Sequence, residues 1–261
     1  MLLANRIDFL SLISISGANP NGDPAKCGMP RVDSRGFGVI SPVCIRRKLR
    51  DRLAEMGEEI LVSPPVAPGD DLSGRVAGVD CRSGACAKWF DVRAFGQVFA
   101  FPGVHCPGIK GAVTIQPVYS ADPVSIADMR ITRCIRNNDT GRGSVMGSLH
   151  FVEYGLYVLK GSVNAYAAMK NGFTEEDALK LREALLHIFD NDRSAARPAG
   201  SMEVERLYWW RHRSTAGEYS PGRVFGTVRC EAECDKPSCF GDYRIVHAPL
   251  AGLEPEIFGE Q

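Results

Sequence analysis

One stretch, Ser16 to Arg52, constrains the chain more than any other: SGANPNGDPAKCGMPRVDSRGFGVISPVCIRRKLRDR is a turn-rich loop running straight into a crowded basic helix. Asn19-Pro20-Asn21-Gly22-Asp23-Pro24 packs two prolines, a glycine and three short polar side chains into six residues, which is turn chemistry with neither helical nor strand period. Pro30, Gly36 and Gly38 prolong it. A structureless segment of about 25 residues inside a folded chain is uncommon and usually serves function. Ser41-Pro42 then supplies an N-cap and a proline at the first helical position. Ile45, Leu49, Leu53 and Met56 recur at spacings of three or four, predicting a helix from Pro42 to Met56 with one apolar stripe. Arg46, Arg47, Lys48, Arg50 and Arg52 surround the stripe, against Asp51 and Glu55. Arg46 and Arg50 share one face and Lys48 and Arg52 the next, so the unburied surface is expected to be cationic. A solvated face is the ordinary explanation for helical charge. Five cations in seven residues with one acid among them favour phosphate recognition, to which the planar, permanently charged guanidinium fork is suited.

Those residues also carry a resemblance. NPNGDP, then GMPRVD, then GVISPVCIRRKLRDRL resembles the opening of the backbone subunit of type I CRISPR surveillance complexes (Cascade), in the subtype I-C branch of the RAMP superfamily. FDVRAFGQV at Phe90 to Val98, VEYGLY at Val152 to Tyr157 and GFTEEDALKLREALLHIFDNDRSAAR at Gly172 to Arg197 are similar to the same family in the same order. The likeness spans residues 5 to 215 and is more specific than any short motif, because order and spacing agree.

At 261 residues with 44% apolar content, the chain is large enough for one sizeable domain or two small ones. No run approaches the roughly 18 apolar residues of a membrane helix, and MLLANRIDFL has no secretory pattern, so a cytoplasmic address is expected. Net charge is zero, which argues against a nucleic-acid partner until it is divided: residues 231–261 hold seven acids against two bases, leaving +5 on residues 1–230.

In chain order, Ile7 to Ile15 is a Leu- and Ile-rich strand feeding the loop at Gly17. Gly57 to Lys88, with Pro64, Pro65 and Pro68, is expected to be a loop-rich insertion. Phe90 to Phe101 and Ala112 to Tyr119 have strand composition, separated by a Gly108-Ile109-Lys110-Gly111 turn. Ile126 to Gly147 alternates basic and apolar residues around an Asn137-Asn138-Asp139 turn, predicting a protruding hairpin that bears Arg130, Arg133, Arg136 and Arg142. Phe151 to Ala168 is another strand region. Thr174, with Asp177 three places on, begins a helix that buries Ala178, Leu181, Leu185, Ile188 and Phe189 and places His187 on its inner half. Glu203 to His212 is the final strand, its Leu207, Tyr208, Trp209 and Trp210 read as core. Strand, helix, strand, strand, helix, strand gives an α+β, ferredoxin-like βαββαβ plan of the RNA-recognition type. It forms one domain over 1–261 with insertions at about 17–41, 57–89 and 126–147 and an acidic segment 231–261. Such a plan offers an open sheet and flanking loops to single-stranded RNA.

Catalytic constellations are sparse. No GxxxxGK[ST] loop, dinucleotide fingerprint or HExxH occurs, and the five histidines are dispersed. Cys81, Cys86, Cys230, Cys234 and Cys239 have spacings tolerable for zinc, which would staple the insertion to the C-terminal segment; buried thiols are the commoner outcome, and neither metal nor cofactor is expected.

The resemblance implies a non-catalytic subunit that polymerises head-to-tail along CRISPR guide RNA. Asn19, Asn21, Arg46, Arg47, Lys48 and Arg50 would grip phosphates. Lys110 would lie on a glycine-bearing loop near the guide, and Arg133, Arg136, Arg142 and Met146 on a thumb clasping RNA bound by the neighbouring copy; Arg193, where the second helix ends, would be a further RNA contact. It further implies target DNA read through guide pairing, capping subunits at the filament ends and a separate helicase-nuclease. Related type III backbone subunits cut target RNA with a loop aspartate and a metal ion, a role open to Asp23 or Asp33; a stand-alone RNA-binding regulator is the other alternative.

Overall fold

The computed structural model describes residues 1–80, 83–100, 108–133 and 145–259. Strand β1 (Ile7–Ala18) is buried at every position from Ile7 to Ile13, because it lies at the centre of a large antiparallel sheet with both faces covered. The strand predicted to end at Ile15 continues to Ala18, held by Ala18 opposite Val152 on the adjacent strand.

The following loop is not structureless. A buried or half-buried backbone must pair its N–H and C=O groups. Strands β2 (Gly22–Asp23) and β3 (Met29–Pro30) do so around a 3-10 turn at Pro24–Lys26, closed by Gly28 N donating to Asp23 O at 2.8 Å. Strand β4 (Phe37–Ile40) then forms one edge of the main sheet. Helix α1 (Pro42–Glu55) begins as predicted: Ser41 is its N-cap, the hydroxyl accepting from Cys44 N at 3.3 Å, and Ile45, Leu49 and Leu53 are buried.

The 57–89 insertion is more ordered than its composition suggests. Helices α2 (Leu72–Val76) and α3 (Ser83–Lys88) enclose a small core of Leu61, Val76, Ala85, Cys86, Trp89, Val92 and Phe99. The strand expected from Phe90 is instead helix α4 (Phe90–Phe95). Phe90 and Ala94 face the main core while Val92 faces the insertion's core; a short segment apolar on both sides loses its period, so composition alone misassigns it. Strands β5 (Gly96–Gln97) and β6 (Ile109–Lys110) pair, which replaces the expected turn at 108–111. Gly111 lies so close to the backbone of Ala94 to Gly96 that a Cβ would overlap it. Gln116-Pro117 divides the next predicted strand into β7 (Val113–Ile115) and β8 (Val118–Pro123).

Strands β9 (Ile126–Arg133) and β10 (Val145–Val163) form the expected hairpin, in register from Ile126 opposite Val152 to Arg133 opposite Val145. Its predicted Asn137-Asn138-Asp139 turn lies outside the described residues. The strand expected to reach Ala168 stops at Val163, where Asn164 caps helix α5 (Ala165–Asn171) through Ala167 N at 3.0 Å. Thr174 and Asp177 form a reciprocal capping box on helix α6 (Glu175–Leu186), and Ala178, Leu181, Leu185, Ile188 and Phe189 are buried. His187 is a correction: it sits at the helix's C-cap with its side chain 44% exposed, flanked by Glu183 at 3.2 Å and Asp190 at 3.1 Å.

Strand β11 (Met202–Arg211) pairs with β1 and buries Leu207, Tyr208, Trp209 and Trp210, but it is not the last strand. Helix α7 (Pro221–Phe225), the hairpin β12 (Val228–Ala232) and β13 (Tyr243–His247), and β14 (Glu256–Phe258) follow. The main sheet runs β14-β11-β1-β10-β8-β4, with β7 and β9 also on β10, so β1 and β10 form its middle and β11-β1-β10-β7 are successive neighbours. Helices α1 and α6 pack on one face, where Phe9, Ile13 and Trp209 meet Leu49 and Leu181. The other face is not open. Leu10, Leu12, Leu156, Tyr208 and Trp210 point there and are covered by Val224, Phe225, Val228, Tyr243 and Leu253. Residues 224–253, from α7 into the acidic C-terminal segment, therefore close this face of the sheet.

A buried polar network fixes this cover. Arg6 Nη2 lies 2.8 Å from Asp8, and Nη1 donates to Ala216 O at 2.5 Å; His212 stands between Asp8 and Glu218, 3.0 Å from each. Burial works to raise the Asp8 carboxyl, but hydrogen bonds from His212, Ser162 and Arg6, with the Arg6 charge, hold it below its ordinary value.

Candidate nucleic-acid interface

Strand register assigns the candidates to ends of the sheet. At one end, Ala18 faces Val152, the β9–β10 hairpin departs, and Ser16 N donates to Ser201 O at 2.9 Å. Here Asn19 N donates to Ala196 O at 2.8 Å, Asn19 Nδ2 to Gly28 O at 2.7 Å, and Asn21 Oδ1 accepts from Ser41 N at 2.9 Å. The Asn19–Asn21 loop is thereby bolted to the start of α1 and to the segment after α6. Asn19 Oδ1 is buried without a partner among the described residues. Lys110 lies at the other end, where Ile7 faces Val163 and Val163 faces Val113, about 37 Å away along β1 at strand rise. Its side chain is exposed, and its carbonyl accepts from Asn171 Nδ2 at 3.0 Å.

The cationic face expected of α1 is largely neutralised. Lys48 is 6% exposed and pairs with Asp192. Arg50 donates to Asp91 at 2.8 Å and stacks over Phe95. Arg47 pairs with Asp51, and Arg52 lies 3.1 Å from Glu55 and 4.0 Å from Asp190. Asp51 and Glu55 lie on α1 itself, whereas Asp91, Asp190 and Asp192 come from distant sequence, so helical spacing gave no sign of those three. Arg46 is different: its Nε donates to Pro42 O at 3.2 Å, and no acid is within ion-pair distance among the described residues. Desolvation and neighbouring Arg50 hold Arg46 below the usual arginine value, the setting of a cation that gains from an anionic partner.

Arg193 is exposed, its Nε donating to Asp190 O at 3.1 Å. Arg133 and Met146 occupy paired strand positions on the hairpin; Arg136 and Arg142 lie outside the described residues. Two cations were missed by the reading of the basic helix. Arg31, on the loop, lies 3.5 Å from Asp23, and Arg197 lies 3.0 Å from Asp192. With Lys48 and Asp192 they act on Cys44, whose thiol is pushed up by burial despite the three cations. The signal for them is weak: each is one arginine beside an aspartate-bearing turn.

Asp23 and Asp33 serve the loop. Asp23 accepts from Ala25 N at 3.2 Å; Asp33 accepts from Arg35 N at 2.8 Å and Phe37 N at 3.0 Å and pairs with the Arg35 guanidinium. Cys86 is buried in the insertion's core, whereas Cys230 packs under the C-terminal cover and Cys234 and Cys239 are exposed. Cys81 is outside the described residues. Among the described residues no three His, Cys, Asp or Glu groups gather closely enough to hold a metal ion. No helix among them is long and apolar enough to cross a membrane.

A family model, CRISPR-associated protein Cas7, matches residues 5–248. A CRISPR-associated protein Cas7 from Haloferax volcanii is 24% identical over 241 residues, spanning 80% of this chain and 70% of the relative. Among solved structures, a chain of a CRISPR RNA-guided surveillance complex, pre-nicking, superposes with TM-score 0.53 at 12% identity, covering 78% of both chains. A chain of another CRISPR RNA-guided surveillance complex aligns with TM-score 0.47 at 17% identity, over 78% of this chain and 68% of its own.

Proposed function

The chain belongs to the CRISPR-associated Cas7 family, and from that premise we propose that it is a non-catalytic guide-RNA-binding backbone subunit of a type I, I-C-like effector complex. The observation that carries this reading is the convergence at one sheet end of the Asn19–Asn21 loop, the start of α1, Arg31, Arg197 and the departing hairpin. Arg46, Arg193 and the hairpin arginines supply charge for phosphates without reading sequence. Lys110, at the opposite end, serves RNA held by an adjoining copy. The β11-β1-β10-β7 order with α1 and α6 on one face is read as a ferredoxin-like core within a single domain.

Copies joined head-to-tail do not close, so they form a helical filament whose length the RNA sets. Target DNA pairs with the guide; other subunits cap the ends, and a recruited helicase-nuclease cuts, in the cytoplasm. A role for Asp23 or Asp33 in RNA cleavage is disfavoured because both carboxylates are committed to turns and to Arg31 or Arg35. Co-expression with the neighbouring genes, then particle mass and sequencing of bound RNA, tests the proposal. A multi-copy particle carrying repeat-derived RNA and inert toward target RNA supports it; an RNA-free monomer refutes it.

A further inference from the structure

Two aspartates, Asp91 and Asp192, hold cations of α1, and they are built differently. Asp91 is 1% exposed and accepts from Leu61 N at 2.8 Å, Val62 N at 3.1 Å and Arg50 Nε at 2.8 Å, so backbone and side chain both saturate it. Asp192 is 18% exposed and sits in an irregular segment; among the described residues its side-chain partners are two cations and no backbone N–H. One oxygen, Oδ2, faces both Lys48 Nζ and Arg197 Nε. Arg197 Nε is 3.0 Å from that oxygen yet lacks hydrogen-bond alignment, and Arg31 Nε is buried with no partner among the described residues. A cavity of about 400 Å³, lined among others by Lys48, Asp51, Arg52, Glu55, Asn191 and Asp192, opens on Lys48 and Asp192.

We propose that Asp192 occupies the place of an RNA phosphate in the free chain, masking Lys48 and Arg197 until a phosphodiester displaces it. This rests on the RNA-binding reading above. A carboxylate held by cations alone is exchangeable for another anion, whereas one that caps backbone N–H groups is fixed. A phosphodiester presents two unesterified oxygens and can face Lys48 and Arg197 separately, which a single Oδ2 does not. The displaced Asp192 side chain turns toward the cavity and solvent. The mask also disfavours weak, non-specific anions, because a ligand must outcompete a tethered carboxylate.

The test is binding of a fluorescently labelled mixed-sequence single-stranded RNA to the full chain across a salt series. Asp192→Asn is expected to bind about three- to tenfold tighter with an unchanged salt slope, because the same phosphate is neutralised in both proteins. Equal or weaker binding by folded Asp192→Asn overturns the mask. Arg197→Gln keeps Lys48 paired with Asp192 and guards against a variant that fails to fold. It is expected to weaken binding severalfold and flatten the slope by about 0.7, and an unchanged slope overturns the proposal. Wild-type binding with no gain in Asp192→Asn removes the mask and leaves the RNA-binding reading standing. Absence of binding in all three proteins overturns both.

Discussion

Helix α1 and the β9–β10 hairpin both carry arginines on an amphipathic element, yet they use them oppositely. On α1, Arg47, Lys48, Arg50 and Arg52 each face an acid, two of them drawn from Asp91 and Asp192 far along the chain. On the hairpin, Arg130 is exposed opposite Ser148, beside the outward Met129 and Ile131. The first set ties the insertion and the segment after α6 to the core. Arg130 stays available, with no acid within ion-pair distance among the described residues. Density of charge in a sequence therefore says little about free charge; what matters is whether the fold brings an acid to it, since a cation already paired must lose one partner to gain another.

The comparison is most easily broken at Asp91. Asp91→Ala strands Arg50 and two backbone N–H groups, and should cost about 3–5 kcal/mol in urea denaturation. A loss below about 1 kcal/mol would mean that the α1 ion pairs do not anchor the insertion.

Asp8 extends the test to the network beneath the C-terminal cover. Its folded carboxyl lies below the ordinary value, so it contributes stability above the unfolded pKa, and that contribution disappears as pH falls through the folded one. Melting temperature should fall below about pH 4, and Asp8→Asn should start lower but vary less over that range. Parallel wild-type and variant curves would remove Asp8 as the group responsible.

Arg46 sharpens the distinction within α1. Arg46→Ala should change stability by less than about 0.5 kcal/mol while flattening the salt dependence of RNA binding by about 0.7, whereas Arg50→Ala should destabilise the fold. If Arg46→Ala leaves the slope intact, α1 contributes no phosphate contact there. The smallest structural effect belongs to Arg130→Ala, for which an unshifted melting curve and a slope reduced by about 0.7 are expected. A lowered melting temperature would show that the hairpin charge, too, is structural.

Local chemistry was written in the sequence. Ser41 with Pro42 set the start of α1, Thr174 with Asp177 set that of α6, and the alternation through Ile126 to Gly147 set the hairpin, because caps and turns involve groups within a few residues. The run Ile7 to Ile15 marked the first strand, and the motif order from Asn19 to Arg197 marked the family. The tertiary structure decided the rest. Phe90 to Phe95 became helix because two cores claim its opposite sides, and the sheet face closed because Tyr208 and Trp210 required Val224, Phe225 and Tyr243. Lys48 and Arg50 were withdrawn from solvent by acids 144 and 41 residues away. A local pattern fixes which face an element buries; only the assembled fold fixes what that face, and its opposite, meets.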